Sequence, residues 1–202
     1  MANTSAPFGF SQYSGLGSAP TYEQVPVQIA YNASALFFGD PVVPVNDGTV
    51  AKGDPTGSPT VQIAGIFVGC KYLSVAQKRT VWSNYWPGSD VASGNVVTGY
   101  IINDPNAMFL AQIGGSTSVG AAQTDVNANW QYSYGSGGNT ANGLSGAYAD
   151  VSVSPTTTST FPFRLVALVD TPPGAPGTAA GAYNLGIFAF NNVSTKQLTS
   201  VG

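Results

Sequence analysis

The chain reads as all-β, a sandwich or barrel of about ten short strands with long Gly/Ser/Pro loops and an extended N-terminal arm. Three observations predict this. Apolar residues come in short unbroken runs or in strict alternation rather than at helical spacing. Twenty-five glycines and fourteen prolines cluster with Asn, Asp and Ser into turn signals between those runs. The runs recur at intervals of roughly 8–15 residues with no repeat of fixed length. At 202 residues the chain falls where β-sandwiches and barrels run as one domain, about 200–250 residues. The organisation predicted is an arm over 1–24 and a single β-domain over 25–202.

Residues 1–24 are rich in Gly, Ser, Ala and Pro and carry Phe8, Phe10, Tyr13 and Tyr22 at no helical or strand period. Such a segment either docks its aromatics on the body or on another chain, or stays a terminal extension. In residues 25–31, Val25, Val27, Ile29 and Tyr31 alternate with Pro26, Gln28 and Ala30, a half-buried strand whose proline suits an edge. Residues 36–45, LFFGDPVVPV, are broken by Gly39 and Pro41 and lead into Asn46-Asp47-Gly48-Thr49, a hairpin-turn signal. KGDPTGSP, residues 52–59, is turn chemistry throughout.

The stretch over 61–87, VQIAGIFVGCKYLSVAQKRTVWSNYWP, is predicted to be the central hairpin. Residues 63–70 are apolar at odd and even positions, the mark of a strand buried on both faces. The second run carries Trp82, Tyr85 and Trp86, each able to bury about 150–250 Å². Lys71, Lys78 and Arg79 are three of the six basic residues, and they predict an exposed basic tip.

Beyond the loop GSDVASGN, residues 96–102 and 107–113 read as a further hairpin around Asn103-Asp104-Pro105-Asn106. Residues 114–129 hold one or two helical turns at most, since Gly120 and scattered Asn oppose a long helix. Trp130, Tyr132 and Tyr134 fall on one face of a strand, as core packing or, on the alternative reading, as a platform for sugars. Residues 147–153 alternate again. FPFRLVALV, residues 161–169, and LGIFAF, residues 185–190, read as buried strands. Arg164 within the first is predicted to snorkel or to pair with Asp150 or Asp170.

Charged residues make up 7% of the chain against a usual quarter or so, so the surface is small, polar and uncharged. With 43% apolar and 11% aromatic residues, folding is favoured over disorder. A net charge of −3 offers no basic patch for a phosphate backbone, so no nucleic-acid partner is predicted. The first residues lack a basic region followed by an apolar one, and no apolar run approaches the roughly 18 residues of a membrane span. These features predict a soluble chain made without a signal and with no membrane contact.

Histidine is absent, which removes the commonest general base, the His-dependent nucleophilic arrangements and the commonest transition-metal ligand. Cys70, the single cysteine, reads as a small buried hydrophobe. Asp40, Asp47, Asp54, Asp104 and Asp170 stand in turn contexts, where Asp caps the backbone, rather than as a facing carboxylate pair. The NDG and NDPN turns are the best places for calcium, without a twelve-residue acidic loop around them. No Gly-rich phosphate loop occurs. No catalytic, cofactor-binding or metal-binding residue is predicted, and the protein is expected not to be an enzyme.

The succession Phe38-Gly39-Asp40-Pro41-Val42, Asn46-Asp47-Gly48-Thr49-Val50, Ala64-Gly65-Ile66-Phe67-Val68-Gly69-Cys70-Lys71-Tyr72 and Val81-Trp82-Ser83-Asn84-Tyr85-Trp86-Pro87 resembles virion structural proteins of tailed bacteriophages, in the class of capsid decoration, or cement, proteins. Asn142-Gly143-Leu144-Ser145, Phe163-Arg164-Leu165-Val166-Ala167-Leu168-Val169 and Phe190-Asn191-Asn192 extend the likeness over residues 36–192. The resemblance implies a non-enzymatic, mostly β protein, often trimeric, assembled in the host cytoplasm and bound outside the head, where it ties units of the major capsid protein together. On that reading Phe8, Phe10, Tyr13 and Tyr22 contact the capsid. Lys78 and Arg79 supply a secondary, salt-sensitive contact with an acidic neighbour. The alternatives are a carbohydrate- or receptor-binding module of a phage fibre and a jelly-roll shell-forming capsid protein.

Overall fold

The computed structural model describes residues 3–15, 23–53 and 62–196. Tyr22, Asp54 and most of the turn expected over 52–59 lie outside them. Twelve strands are present among the described residues: β1 (Ser11–Ser14), β2 (Val25–Ile29), β3 (Pro41–Pro44), β4 (Val50–Lys52), β5 (Gly65–Leu73), β6 (Thr80–Ser83), β7 (Val97–Ile102), β8 (Met108–Gly114), β9 (Asn129–Ser133), β10 (Tyr148–Asp150), β11 (Phe163–Leu168) and β12 (Leu185–Phe190). A single 3₁₀ turn at Gln123–Asp125 is all that the helical leaning of residues 114–129 amounts to. The all-β fold is as the sequence predicts.

The strands form two six-stranded sheets. In the C-terminal one the order β8-β10-β9-β11-β12 returns to β8, so five strands close into a barrel with β1 added on β8. In the N-terminal one the order is β3-β4-β2-β7-β5-β6, and a β3–β5 pairing brings the sheet round on itself, leaving β6 outside on β5. Its β2–β4 contact is the single pair Ile29↔Val50. Each sheet wraps its own core. Leu36, Val42, Phe67, Tyr72, Trp86, Val97 and Ile101 fill the N-terminal one. Phe109, Ile113, Trp130, Tyr132, Phe163, Phe188 and Phe190 fill the C-terminal barrel. Barrel strands alternate large and small inward residues, as a tapering interior requires: Phe109, Ala111 and Ile113 on β8 and Ala149 on β10 are all fully buried.

The run over 63–70 is apolar at every position because it faces both cores. Ile63 and Ile66 belong to the C-terminal core, whereas Ala64, Phe67 and Cys70 belong to the N-terminal one. β7 does the same at its end, with Ile101 in one core and Ile102 in the other. The start of β5 and the end of β7 are therefore a shared wall.

The hairpin expected around residues 103–106 is corrected. The turn exists, with the Asp104 carboxylate accepting the Asn106 N–H at 2.9 Å and the Asp104 carbonyl accepting the Ala107 N–H at 3.0 Å. Its two strands do not pair. β7 is hydrogen-bonded to β2 and β5, and β8 to β1, β10 and β12, so the turn carries the chain from one sheet to the other. Turn chemistry fixes a reversal of direction, but both edges of β7 are already taken. The Asp47-Gly48 turn does make its hairpin, β3 pairing antiparallel with β4. Gly48 adopts a φ of +83° with open space around it, a left-handed conformation that glycine alone takes without cost.

The N-terminal segment is tied to the barrel. Phe10 is 1% exposed and stacks on Phe163 at 4.1 Å between ring centroids. Its N–H donates to the Gly39 carbonyl at 2.9 Å. A Cβ on Gly39 would come within 2.9 Å of the Phe10 nitrogen, so the two segments meet this closely only because residue 39 has no side chain.

Truncating a buried phenylalanine costs about 3–5 kcal/mol. Phe10→Ala is expected to destabilise the protein by that amount in urea denaturation, and deletion of residues 1–24 by at least as much. Loss of under about 1 kcal/mol would show that the aromatic plug is dispensable.

Candidate functional site

The carboxylates of Asp47, Asp90, Asp104, Asp125 and Asp150 accept backbone N–H groups. Asp47 accepts the Thr49 N–H at 2.9 Å and its hydroxyl at 2.7 Å. Asp150 accepts the Ser152 N–H at 2.8 Å and hydroxyl at 2.6 Å. Asp90 accepts the Ser74 hydroxyl at 2.6 Å and the Ala76 N–H at 2.8 Å. Hydrogen bonding from Thr49 lowers the pKa of Asp47, and hydrogen bonding from Ser74 lowers that of Asp90, as donors to an ionised carboxylate do. Arg164 is exposed on β11, with the like charge of Lys196 nearby; Asp150, one partner expected for it, is engaged by Ser152.

Asp40 is the exception. It is 1% exposed, in the segment that runs beside residues 143–145. There the Phe38 N–H donates to the Gly143 carbonyl, and the Ser145 N–H to the Phe38 carbonyl, both at 2.9 Å. The Asp40 carboxyl accepts the Phe37 N–H at 2.8 Å and the Ser145 hydroxyl. The Ser145 oxygen in turn accepts the Ala147 N–H at 2.8 Å. Burial raises the Asp40 pKa above the ordinary carboxylate value, against the hydrogen bonds from Ser145 and Phe37 and the charge of Lys52. Lys52 lies with its ammonium 4.1 Å from the centroid of the Tyr134 ring, and the Tyr134 hydroxyl donates to the Pro41 carbonyl. This network joins the N-terminal sheet to the barrel. The Ser145 hydroxyl is a bridge that donates to the Asp40 carboxyl and accepts the Ala147 N–H.

Among the described residues no group of three or more Cys, Asp or Glu side chains is placed to hold a metal, and no helix is long and apolar enough to cross a membrane. The Cys70 thiol donates to the Tyr85 carbonyl at 3.3 Å, and burial pushes its pKa up to about 12. It is an inert core group rather than a reactive thiolate.

The residues singled out as partner contacts are dispersed. Phe10 is inside the barrel and unavailable to another chain. Phe8 is half-buried. Tyr13, on β1, is 54% exposed. Lys78 and Arg79 are exposed at the β5–β6 tip, where Lys78 takes a positive φ of 54°. The Trp130, Tyr132, Tyr134 stripe is core: Trp130 and Tyr132 are buried, and Tyr134 packs against them.

The aromatic surface lies elsewhere. Trp86 is fully buried, but Trp82 is 66% exposed, against the expectation that both tryptophans of the central hairpin are core. Trp82 stacks on Tyr100 of β7, with ring centroids 5.6 Å apart and planes 15° apart. The Lys71 ammonium sits 5.1 Å from the Trp82 ring centroid. Beside them runs an open groove of about 340 Å³ lined by Gln24, Gly69, Ser83 and Asn84 as well as the two rings. A local signal for this exists in the sequence: Trp82 shares its strand face with Thr80 and Asn84, polar company that marks an outward face.

Comparison of the chain with protein-family models, curated proteins and solved structures gives no match.

The raised pKa of Asp40 fixes the sign of one pH effect. The folded state holds the proton more tightly than the unfolded chain, whose Asp titrates near 3.9. The contribution is fully present below that value and is lost as pH rises through the folded-state pKa. Unfolding free energies measured from pH 3.5 upward should therefore fall for the wild type relative to Asp40→Asn. A difference that stays flat, or rises with pH, would contradict the raised pKa. Asp40→Ala leaves the Phe37 N–H and Ser145 hydroxyl unpaired and should cost about 1–3 kcal/mol for each.

Proposed function

We propose that the protein is a non-enzymatic capsid decoration, or cement, protein of a tailed-bacteriophage head, which binds the outer surface as a homotrimer and stabilises the lattice of the major capsid protein. The observation that carries this reading is the N-terminal segment. Phe10 fixes it in the barrel, and three residues later Tyr13 stands exposed on β1, which among the described residues pairs with β8 alone. An anchored strand with an outward aromatic and a second edge suits attachment to another protein by strand addition or pocket docking. The likeness over residues 36–192 to virion structural proteins supports the same reading. So does a surface with few charges, since uncharged polar groups cost less to desolvate against a shell than charged ones.

Purified protein mixed with undecorated phage heads is expected to occupy regular lattice positions in electron micrographs, and failure to do so would overturn the proposal. Because Phe10 is structural, the arm is tested by Tyr13→Ser rather than by deletion. That variant should bind heads at least tenfold more weakly with an unchanged melting temperature. Unaltered binding would remove β1 from the contact. Lys78→Glu with Arg79→Glu should weaken binding at low salt and converge on the wild type at high salt, if the tip meets an acidic neighbour.

A further inference from the structure

The outward face of the N-terminal sheet is laid out by its register. One row runs Gln28, Thr98, Lys71, Trp82 across β2, β7, β5 and β6. The next runs Pro26, Tyr100, Gly69 across β2, β7 and β5. Gly69 contributes no side chain at the point where Trp82 reaches across β5 towards Tyr100, and the groove of about 340 Å³ opens there. A Cβ at this position would approach the Ser83 carbonyl oxygen at 3.0 Å, so any side chain would crowd the floor. Trp82 is the most exposed large apolar side chain among the described residues. β6 is held by its pairing with β5, so the fold does not need this indole outside.

We propose that this groove is a saccharide-binding site, with a preference for a sugar ring that carries a carboxylate. One face of a pyranose is a set of C–H bonds with positive polarity, which matches the negative π-face of an aromatic ring. The indole of Trp82, 66% exposed although it stacks on Tyr100, offers such a surface. The volume lies at the lower end of the roughly 300–1,000 Å³ found for small-molecule sites and accommodates a single ring. The rim supplies hydroxyl partners. Gln24 offers its amide, Ser83, whose Oγ accepts the Tyr85 N–H at 3.2 Å, its O–H as a donor, and Asn84, whose Nδ2 donates to the Asn142 carbonyl at 2.8 Å, keeps Oδ1 as an acceptor. Among the described residues no carboxylate lines the groove, Glu23 standing next to Gln24 in the chain, and Lys71, outside the lining, brings a cation within 5.1 Å of the Trp82 ring centroid. That charge arrangement accepts a uronic acid and gives an acidic sugar the advantage over a neutral one. Lattice attachment through β1 is a separate surface, so failure of this proposal leaves the decoration reading standing, and the reverse.

Calorimetric titration of the purified protein with a galacturonic acid tetramer, a neutral glucose tetramer and a tetraglutamate peptide tests it. The acidic saccharide is expected to bind saturably, several-fold more tightly than the neutral one, and to perturb the fluorescence of Trp82. Trp82→Ala and Tyr100→Ala should each weaken it at least tenfold with the melting temperature of the former unchanged. Lys71→Met should reduce its affinity to that of the neutral saccharide. The proposal is overturned if neither saccharide binds, if Trp82→Ala binds as the wild type does, or if tetraglutamate binds as tightly as the acidic saccharide. Loss of head binding in Trp82→Ala without any saccharide affinity would also overturn it, and would assign the face to the shell.

Discussion

Burial on both faces of residues 63–67, which lead into and begin β5, is the constraint from which the architecture follows. A strand with one wet face can end a sheet or stand alone in it, but a strand apolar at every position has to be covered twice. Here the N-terminal sheet rolls over one face with Phe67 and Cys70 inside it, and the C-terminal core closes on the other against Ile63 and Ile66. Neither core is complete without this strand. A displacement of β5 disturbs both, which couples the two bodies mechanically although their hydrogen-bonded sheets are separate.

The polar contacts reinforce the same junction. Asp40, Ser145 and the backbone of Phe37 and Ala147 connect the approach to β3 with the approach to β10, beside the close meeting of Gly39 with Phe10. A buried carboxyl is costly when ionised and unpartnered. Donors from two segments offset that cost only when the segments lie in register, so the network specifies one arrangement of the two bodies. Asp47 and Asp150 hold single turns, and Asp90 ties residues 74–76 to its own loop. With charged residues at 7% of the chain, recognition by this protein rests on shape and on the few aromatics left outside.

Those aromatics are sorted by strand face and not by composition. Trp82 and Trp86 sit four residues apart in one aromatic run, yet one is exposed and the other fully buried. Trp82 lies within β6, on the face shared with Thr80. Trp86 lies beyond it, where the chain pairs with Leu36 and turns the indole into the core, with its N–H donating to the Ala33 carbonyl at 3.2 Å. The result is a buried indole that holds the N-terminal core and an exposed one that has no part in it.

The sequence by itself determined the all-β class, the positions of most strands, the turn at Asp47-Gly48 and the twofold burial of residues 63–70, because each rests on local periodicity or on turn chemistry. It determined also that Trp130, Tyr132 and Tyr134 share one face, without deciding whether that face is inside. Partners of strands are a non-local matter. That residues 96–102 and 107–113 belong to different sheets, that Phe10 plugs the barrel rather than reaching outward, and that Trp82 and Tyr100 meet over Gly69 were decided only by tertiary structure. The physical reason is that pairing depends on which edges and cavities remain open once the whole chain has closed, and no short stretch of residues carries that information.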